Sequence, residues 1–280
     1  MNIYTPVEIG RLPVSLDHAT PLLSLGSCFA DEIGSRLARD GFDILCNPFG
    51  TLYNPLSIAA LLRLAMEDKE IGEEHLVYHD GLWHSWMHHS RFSSHDRNAC
   101  LARCNQAIHL THERLLQHPL LLVTFGTAWR FRHIGEVVAN CHKLPPQKFC
   151  RERLTVDAIV ETWQGMEAAL HAVGVERIYT VSPIRHLADT AHGNQLSKAT
   201  LLLAVEQLSG CYFPAYEILL DELRDYRFFG RDMCHPSELA GDIVYERFLE
   251  ATTTPATRQE AARRRKEARR GEHREIVISD

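Results

Sequence analysis

The chain has 280 residues, 45% of them hydrophobic and 24% charged, with 16 Gly and 12 Pro, which excludes disordered, collagen-like and low-complexity classes. Its formal net charge is −6, and because Arg258, Arg263, Arg264, Arg265, Arg269, Arg270 and Arg274 crowd the C-terminus, the rest is more acidic still, which argues against nucleic acid as a partner. No run approaches the roughly 18 apolar residues of a membrane span and no basic-then-apolar leader opens the chain, so the expectation is an untargeted cytoplasmic protein whose 8 Cys are reduced thiols.

Residues 22–25 read as a buried strand that runs into Gly26-Ser27-Cys28. Phe29, Ile33 and Leu37 then recur every fourth position before Gly41, predicting a helix over 28–40. Asn54-Pro55 supplies a cap and a first-turn proline for a helix over 56–67. The stretch 73–98, dense in His, Ser and Trp, reads as an insertion covering one end of a sheet. Cys100 and Cys104 fall on a helix with apolar neighbours. Residues 120–125 repeat the strand pattern and end in Gly126-Thr127-Ala128-Trp129, and 136–139 form a further strand. Ile159, Trp163, Met166, Leu170 and Val173 make a helical stripe closed by Gly174, and 177–181 form another strand, leading into Ser182-Pro183-Ile184-Arg185-His186. Pro236 opens a helix with Leu239, Ile243 and Val244 on one face. Residues 251–257 read as a linker and 258–270 as a basic, solvated helix, giving a domain over 1–250 and a tail over 251–280. Strands alternating with helices argue for an α/β fold with a parallel sheet wrapped on both faces.

In such a sheet ligands bind beyond the carboxyl ends of the strands, where this chain places its polar motifs. A side chain at a helix start sits among unpaired amides and the positive end of the helix dipole, which stabilise a thiolate and later an oxyanion. Cys28 or Ser27 is therefore a candidate nucleophile; the plainer alternative is a glycine turn with Cys28 packed as a small residue. Asp232 stands three residues before His235, so a carboxylate can hold one ring nitrogen while the other takes a proton. The 17 His invite a metal reading at His84, His88, His89 and Cys141-His142, but Cys-x-x-Cys and His-Glu-x-x-His spacings are lacking. No metal or cofactor is expected. His89 and Ser90 are expected to line the pocket, with His79, His84 and His88 on the surface. Arg185, His186, Asn194, Ser197 and Lys198 form one block after a strand end and suit a carboxylate, phosphate or polar sugar; Asn140, His142 and Lys143 are read the same way. Trp83, Trp86 and Trp129 are candidates for stacking on a sugar ring, core packing being the commoner role.

Ordered blocks carry a resemblance. Leu25-Gly26-Ser27-Cys28-Phe29-Ala30, the run 47–57 from Asn47 to Ser57, His89-Ser90-Arg91-Phe92-Ser93, Asn140 to Lys143, Ser182 to His186, Asn194 to Lys198 and Asp221 to Pro236 are together similar to the GSCFA-domain family. That family resembles a branch of the SGNH (GDSL-type) hydrolases. The resemblance implies a three-layer, flavodoxin-like α/β/α sandwich with the nucleophile after the first strand and an Asp-x-x-His near the C-terminus. Aligning the glycine of the first SGNH block with Gly26 favours Cys28 over Ser27. The second-block glycine corresponds to Gly50, which would lend an oxyanion amide. The third block, ordinarily Gly-x-Asn-Asp, is here Gly126-Thr127-Ala128-Trp129, without the donating amide; Asn54, Asn140 or Thr127 would have to substitute. The implied function is hydrolysis of an acyl ester on an acylated carbohydrate or similar polar small molecule, with acyl transfer, or ligand binding without catalysis, as alternatives; neither nucleic acid nor membrane is an implied partner.

Overall fold

The structure, a computed structural model, describes residues 5–278. In chain order it runs β1 (Leu22–Gly26), α1 (Cys28–Arg39), β2 (Ile44–Cys46), α2 (Pro55–Met66), the hairpin β3 (Leu76–His79) and β4 (Leu82–Ser85), then α3 (Arg97–Leu115) and β5 (Leu120–Phe125). A three-stranded excursion follows, β6 (Trp129–His133), β7 (Glu136–Val138) and β8 (Cys150–Arg153). The chain returns through α4 (Val156–Ala172), β9 (Arg177–Val181), α5 (Thr190–Val205), β10 (Cys211–Tyr212) and the single turn α6 (Ala215–Glu217), and ends with α7 (Glu238–Thr252) and α8 (Pro255–Ile278).

The main sheet has the order β10-β9-β5-β1-β2 and every pair is parallel. Its strands are apolar on both sides because both faces are covered. Leu23, Leu121, Val123 and Tyr179 point to a core with Ile58, Leu62, Ile108, Trp163 and Leu201 of α2–α5. Leu22, Leu120, Leu122 and Ile178 point the other way, to Phe29, Leu37, Val244 and Phe248 of α1 and α7. The fold is thus α/β, a five-stranded parallel sheet flanked by helices. Helix starts follow their caps: Asn54 Oδ1 accepts from Ser57 N at 2.9 Å, and Ser237, one residue after Pro236, accepts from Ala240 N. Val244 is buried as expected, whereas Leu239 is 56% exposed.

The strand expected at 136–139 is present over Glu136–Val138 and lies outside the parallel sheet: it pairs antiparallel with β6, which pairs on its other side with β8. Two expectations are corrected. His84 and His88 are buried, because their rings serve polar groups inside the 73–98 segment: His84 Nδ1 meets Ser93 Oγ at 2.6 Å and His88 Nδ1 meets Ser85 Oγ at 3.0 Å. Finally, the stretch read as a linker is a break at Thr253-Thr254 between two helices, and α8 is docked rather than solvated. Ala261 is fully buried, and Arg265 forks onto Asp40 at 2.6 and 3.0 Å while also reaching Glu246. Among the described residues no helix is long and apolar enough to cross a membrane.

Asp40 has no exposed surface, and Tyr245 OH also donates to it, at 2.9 Å. Arg39 Nε also holds Asp40 Oδ1, at 3.2 Å, so losing Arg265 leaves the buried carboxylate only partly compensated. Arg265→Ala is expected to lower stability by about 3 kcal/mol in urea unfolding, with the double variant Asp40→Asn, Arg265→Met recovering part of the loss; an unchanged midpoint for the single variant would show that α8 does not depend on this pair.

Candidate active site

The site begins with a close approach of two strand ends. Gly26 has φ +141°, and a Cβ there would lie 2.1 Å from Thr124 O, so only glycine lets β1 turn this tightly beside β5. Its N–H donates to Asn47 Oδ1 at 2.8 Å, its carbonyl accepts from Leu52 N at 2.8 Å, and Ser27 N donates to Thr124 O at 3.2 Å. Asn47 is itself buried and donates from Nδ2 to Asp31 Oδ1 at 2.9 Å, while the Thr51 hydroxyl donates to Asp31 Oδ2 at 3.1 Å. The loop after β2 is thereby tied to the first turn of α1.

Ser27 is the N-cap of α1, its Oγ accepting from Phe29 N, and it is 1% exposed. Cys28 is the first helical residue and half-buried. Among the described residues its backbone N–H has no acceptor beyond its own sulfur.

The histidine arrives on a tight loop closed by Gly230 N donating to His235 O at 2.8 Å. Asp232 Oδ1 accepts from the backbone of Cys234 at 2.9 Å and of His235 at 3.0 Å, and Oδ2 lies 2.5 Å from His235 Nδ1. That carboxylate holds the ring proton on Nδ1, leaving the Nε2 lone pair free. Nε2 lies 3.6 Å from Cys28 Sγ. The backbone donors of Cys234 and His235, and then the ring, hold the Asp232 carboxyl well below the usual carboxylate range. Burial pushes the Cys28 thiol up; its own N–H opposes this, and Asp31 and Glu32 add to it. The resting group is a thiol that needs a base.

The GSCFA family model matches residues 21–248. The chain belongs to the GSCFA family. No curated protein matches it. In this GSCFA protein the matched region spans every group of the Cys28–His235–Asp232 array.

The residues expected around this array divide sharply. The expected oxyanion donors are largely engaged: Gly50 N donates to Asn47 O at 2.8 Å, and Gly126 N and Thr127 N both donate to Tyr53 O, at 2.8 and 2.9 Å. Asn54 spends both amide atoms on Ser57, and the Thr127 hydroxyl serves Trp129 N and Ser197; Asn140 uses its Oδ1 on His142 N, which engages its acceptor and not its Nδ2 donor. A donor already bonded inside the protein is not free for a substrate oxygen. His142 is also corrected: it is buried, stacked on His84 at 4.5 Å and bonded through Nε2 to Ser85 O at 2.6 Å, and burial pushes it down to about 4. Lys198 is 1% exposed and cannot touch substrate. Arg185 is not a free cation but a brace, donating from its N–H to Cys234 O at 3.1 Å and from Nη1 to Met233 O at 3.0 Å.

His89 packs against Gly50 and accepts from Arg91 N, at the mouth of the β2 loop. His186 sits edge-on to Tyr53, with ring centroids 6.3 Å apart, and burial beside Lys198 pushes it down to about 4. The tryptophans are occupied: Arg151 covers Trp129 at 4.1 Å, Trp86 packs on His133 and Phe149, and Trp83 lies between Tyr78 and Arg97. Among the described residues no group of three or more His, Cys, Asp or Glu is placed to hold a metal ion. Sequence reasoning missed Asn47 and Asp31 as supports of the turn; the only signal was the Asn-Pro turn at 47–48.

Ser27 and Cys28 separate experimentally. Ser27→Ala removes a helix cap and is expected to cost about 1 kcal/mol in urea unfolding while leaving the rate of Cys28 alkylation by iodoacetamide unchanged. Loss of that alkylation in folded Ser27→Ala would give Ser27 a larger part in the site.

Proposed function

We propose that this protein is an acyl-ester hydrolase of SGNH type, with Cys28 as nucleophile, His235 as general base and acid, and Asp232 as the group that orients the ring. The observation that carries the reading is the 3.6 Å approach of His235 Nε2 to Cys28 Sγ with Asp232 on the opposite ring nitrogen. In the first half-reaction His235 Nε2 takes the thiol proton as sulfur bonds to the acyl carbon. The C–O bond to the alcohol then breaks, and the alcohol leaves with that proton, giving a thioester on Cys28. In the second, His235 takes a proton from water as its oxygen attacks the thioester; the C–S bond breaks, the acid departs, and the proton returns to sulfur.

The N–H of Cys28, which among the described residues meets only its own sulfur, lies at the positive end of α1 and is the proposed oxyanion donor. Hydrolysis is favoured over transfer because the side chains of His235 and Asp232 are half-exposed, at 52% and 51%, so water reaches the base without a lid having to open. A polar alcohol such as an acylated carbohydrate is proposed as the other half of the ester, since the rim carries exposed polar groups at Asp232 and His235.

The test is turnover of p-nitrophenyl acetate and acetylated sugars. Cys28→Ala and His235→Ala are each expected to lose at least roughly 10²-fold in kcat/KM, and Asp232→Asn to lose activity by leaving the ring in the wrong tautomer. The wild type should accumulate an acetyl group on Cys28 by mass spectrometry. Because Asp232 is held so low, its carboxylate persists into acid. The acid limb of the pH–rate profile should therefore not come from Asp232, and the rate should rise with pH as the Cys28 thiol, held up by burial, becomes ionisable. Full activity in His235→Ala would overturn the mechanism.

A further inference from the structure

We infer that the buried ammonium of Lys198 is the countercharge for negative charge forming at Cys28, a positioning group that acts from behind the end of β5. This inference rests on the reading of Cys28 as the reacting thiol. Lys198 Nζ donates to Gly126 O at 2.6 Å and to Ser182 O at 2.7 Å, the first residues beyond β5 and β9. Gly126 in turn lies against Ser27: a Cβ on Gly126 would be 3.1 Å from Ser27 Cβ. The cation is therefore held one residue behind the neighbour of Cys28, at the strand end where the third SGNH-type block would carry its amide.

A lysine that is 1% exposed and, among the described residues, has no carboxylate partner is an expensive thing to keep charged. Two carbonyl dipoles do not neutralise it, and a negative sulfur at Cys28 does. Burial pushes Lys198 down to about 7 and a negative Cys28 raises it again; reciprocally, Lys198 lowers the Cys28 thiol against burial. Burial thus favours the neutral amine, and a negative Cys28 favours the ammonium. The other groups facing this pair are Asp31 and Glu32 on α1, which oppose the thiolate, together with His235, Tyr53 and His186 on the loops around it. Neighbours of Lys198 on α5 hold the same loops: Ser197 Oγ accepts from Ala128 N at 2.8 Å and Asn194 Oδ1 from His186 N at 2.9 Å.

The experiment follows the pH dependence of Cys28 alkylation by iodoacetamide in a His235→Ala background, which removes the base and needs no turnover. Lys198→Gln keeps N–H donors for the two carbonyls but removes the charge. It is expected to shift the alkylation inflection upward by about one pH unit or more, roughly tenfold slower reaction at neutral pH. A purely structural lysine would lower the melting temperature and leave the inflection in place, which overturns the inference. The reciprocal measurement uses a variant with an intact Lys198: by NMR of the lysine Nζ groups, Cys28→Ser should lower the Lys198 titration midpoint relative to wild type, and an unmoved midpoint also overturns it. Either shift in a protein without esterase activity would refute the proposed function and leave the charge pair standing.

Discussion

Everything at the site depends on how near two parallel strands come at their carboxyl ends. The main chain of Gly26 lies where any side chain would collide with Thr124 O, so β1 and β5 remain in register through Gly26↔Thr124 and the chain then turns at once. Ser27 is consumed as the cap, and the next residue, Cys28, is left at the first position of α1 with an N–H that, among the described residues, meets only its own sulfur. A larger residue at 26 would displace the turn, and with it the cap, the helix start and the sulfur together. The buried amide of Asn47 completes the constraint by holding Gly26 N on one side and Asp31 on the other.

The layers of the fold were legible because the central strands β1 and β5 are apolar on both faces and α1, α2, α3, α4 and α7 start at residues that cap them. Leu22 and Leu23, or Leu121 and Leu122, leave no polar face to be solvated, and only a doubly covered parallel sheet takes such strands. Asn54-Pro55 and the position of Gly41 are local chemistry, readable without tertiary context. The antiparallel excursion was less legible: Glu136–Val138 has strand character, but which sheet a short strand joins depends on what covers it. The docking of α8 was illegible for a different reason. Seven arginines suggest solvent, and only the three-dimensional placement of Asp40, buried at the end of α1, turns Arg265 inward.

At the site, the meeting of a cysteine with a histidine and its carboxylate was readable from residue types, whereas the state of donors and contact residues was not. A hydrogen bond is used once, and nothing in the order of residues says whether the amides of Gly50, Gly126 and Thr127 are spent on Asn47 and Tyr53 or are free. The same limit applies to cations. Arg185 and Lys198 sit in a polar block after a strand, yet one ties down the His235 loop and the other lies beneath the strand ends. Their side chains are long enough to reach inward or outward, so sequence position alone leaves their direction open.

These placements describe a site whose charges are arranged from behind rather than from the substrate side. The Asp232–His235 pair is half-exposed and fixed mainly by backbone donors and by Arg185 from the β9 loop, so its geometry survives contact with water. Cys28 faces the opposite problem, since burial and two carboxylates on its own helix resist ionisation. A base in water can accept the proton, but the negative charge left on sulfur remains in the half-buried region at the foot of α1. In the proposed reaction, what meets it there is the helix N-terminus in front and the Lys198 amine behind, held in position by Gly126 O and Ser182 O before any substrate arrives. Groups positioned in advance need little rearrangement as charge forms. On that reading an array whose expected glycine amides are committed to the fold can still favour an anion at Cys28.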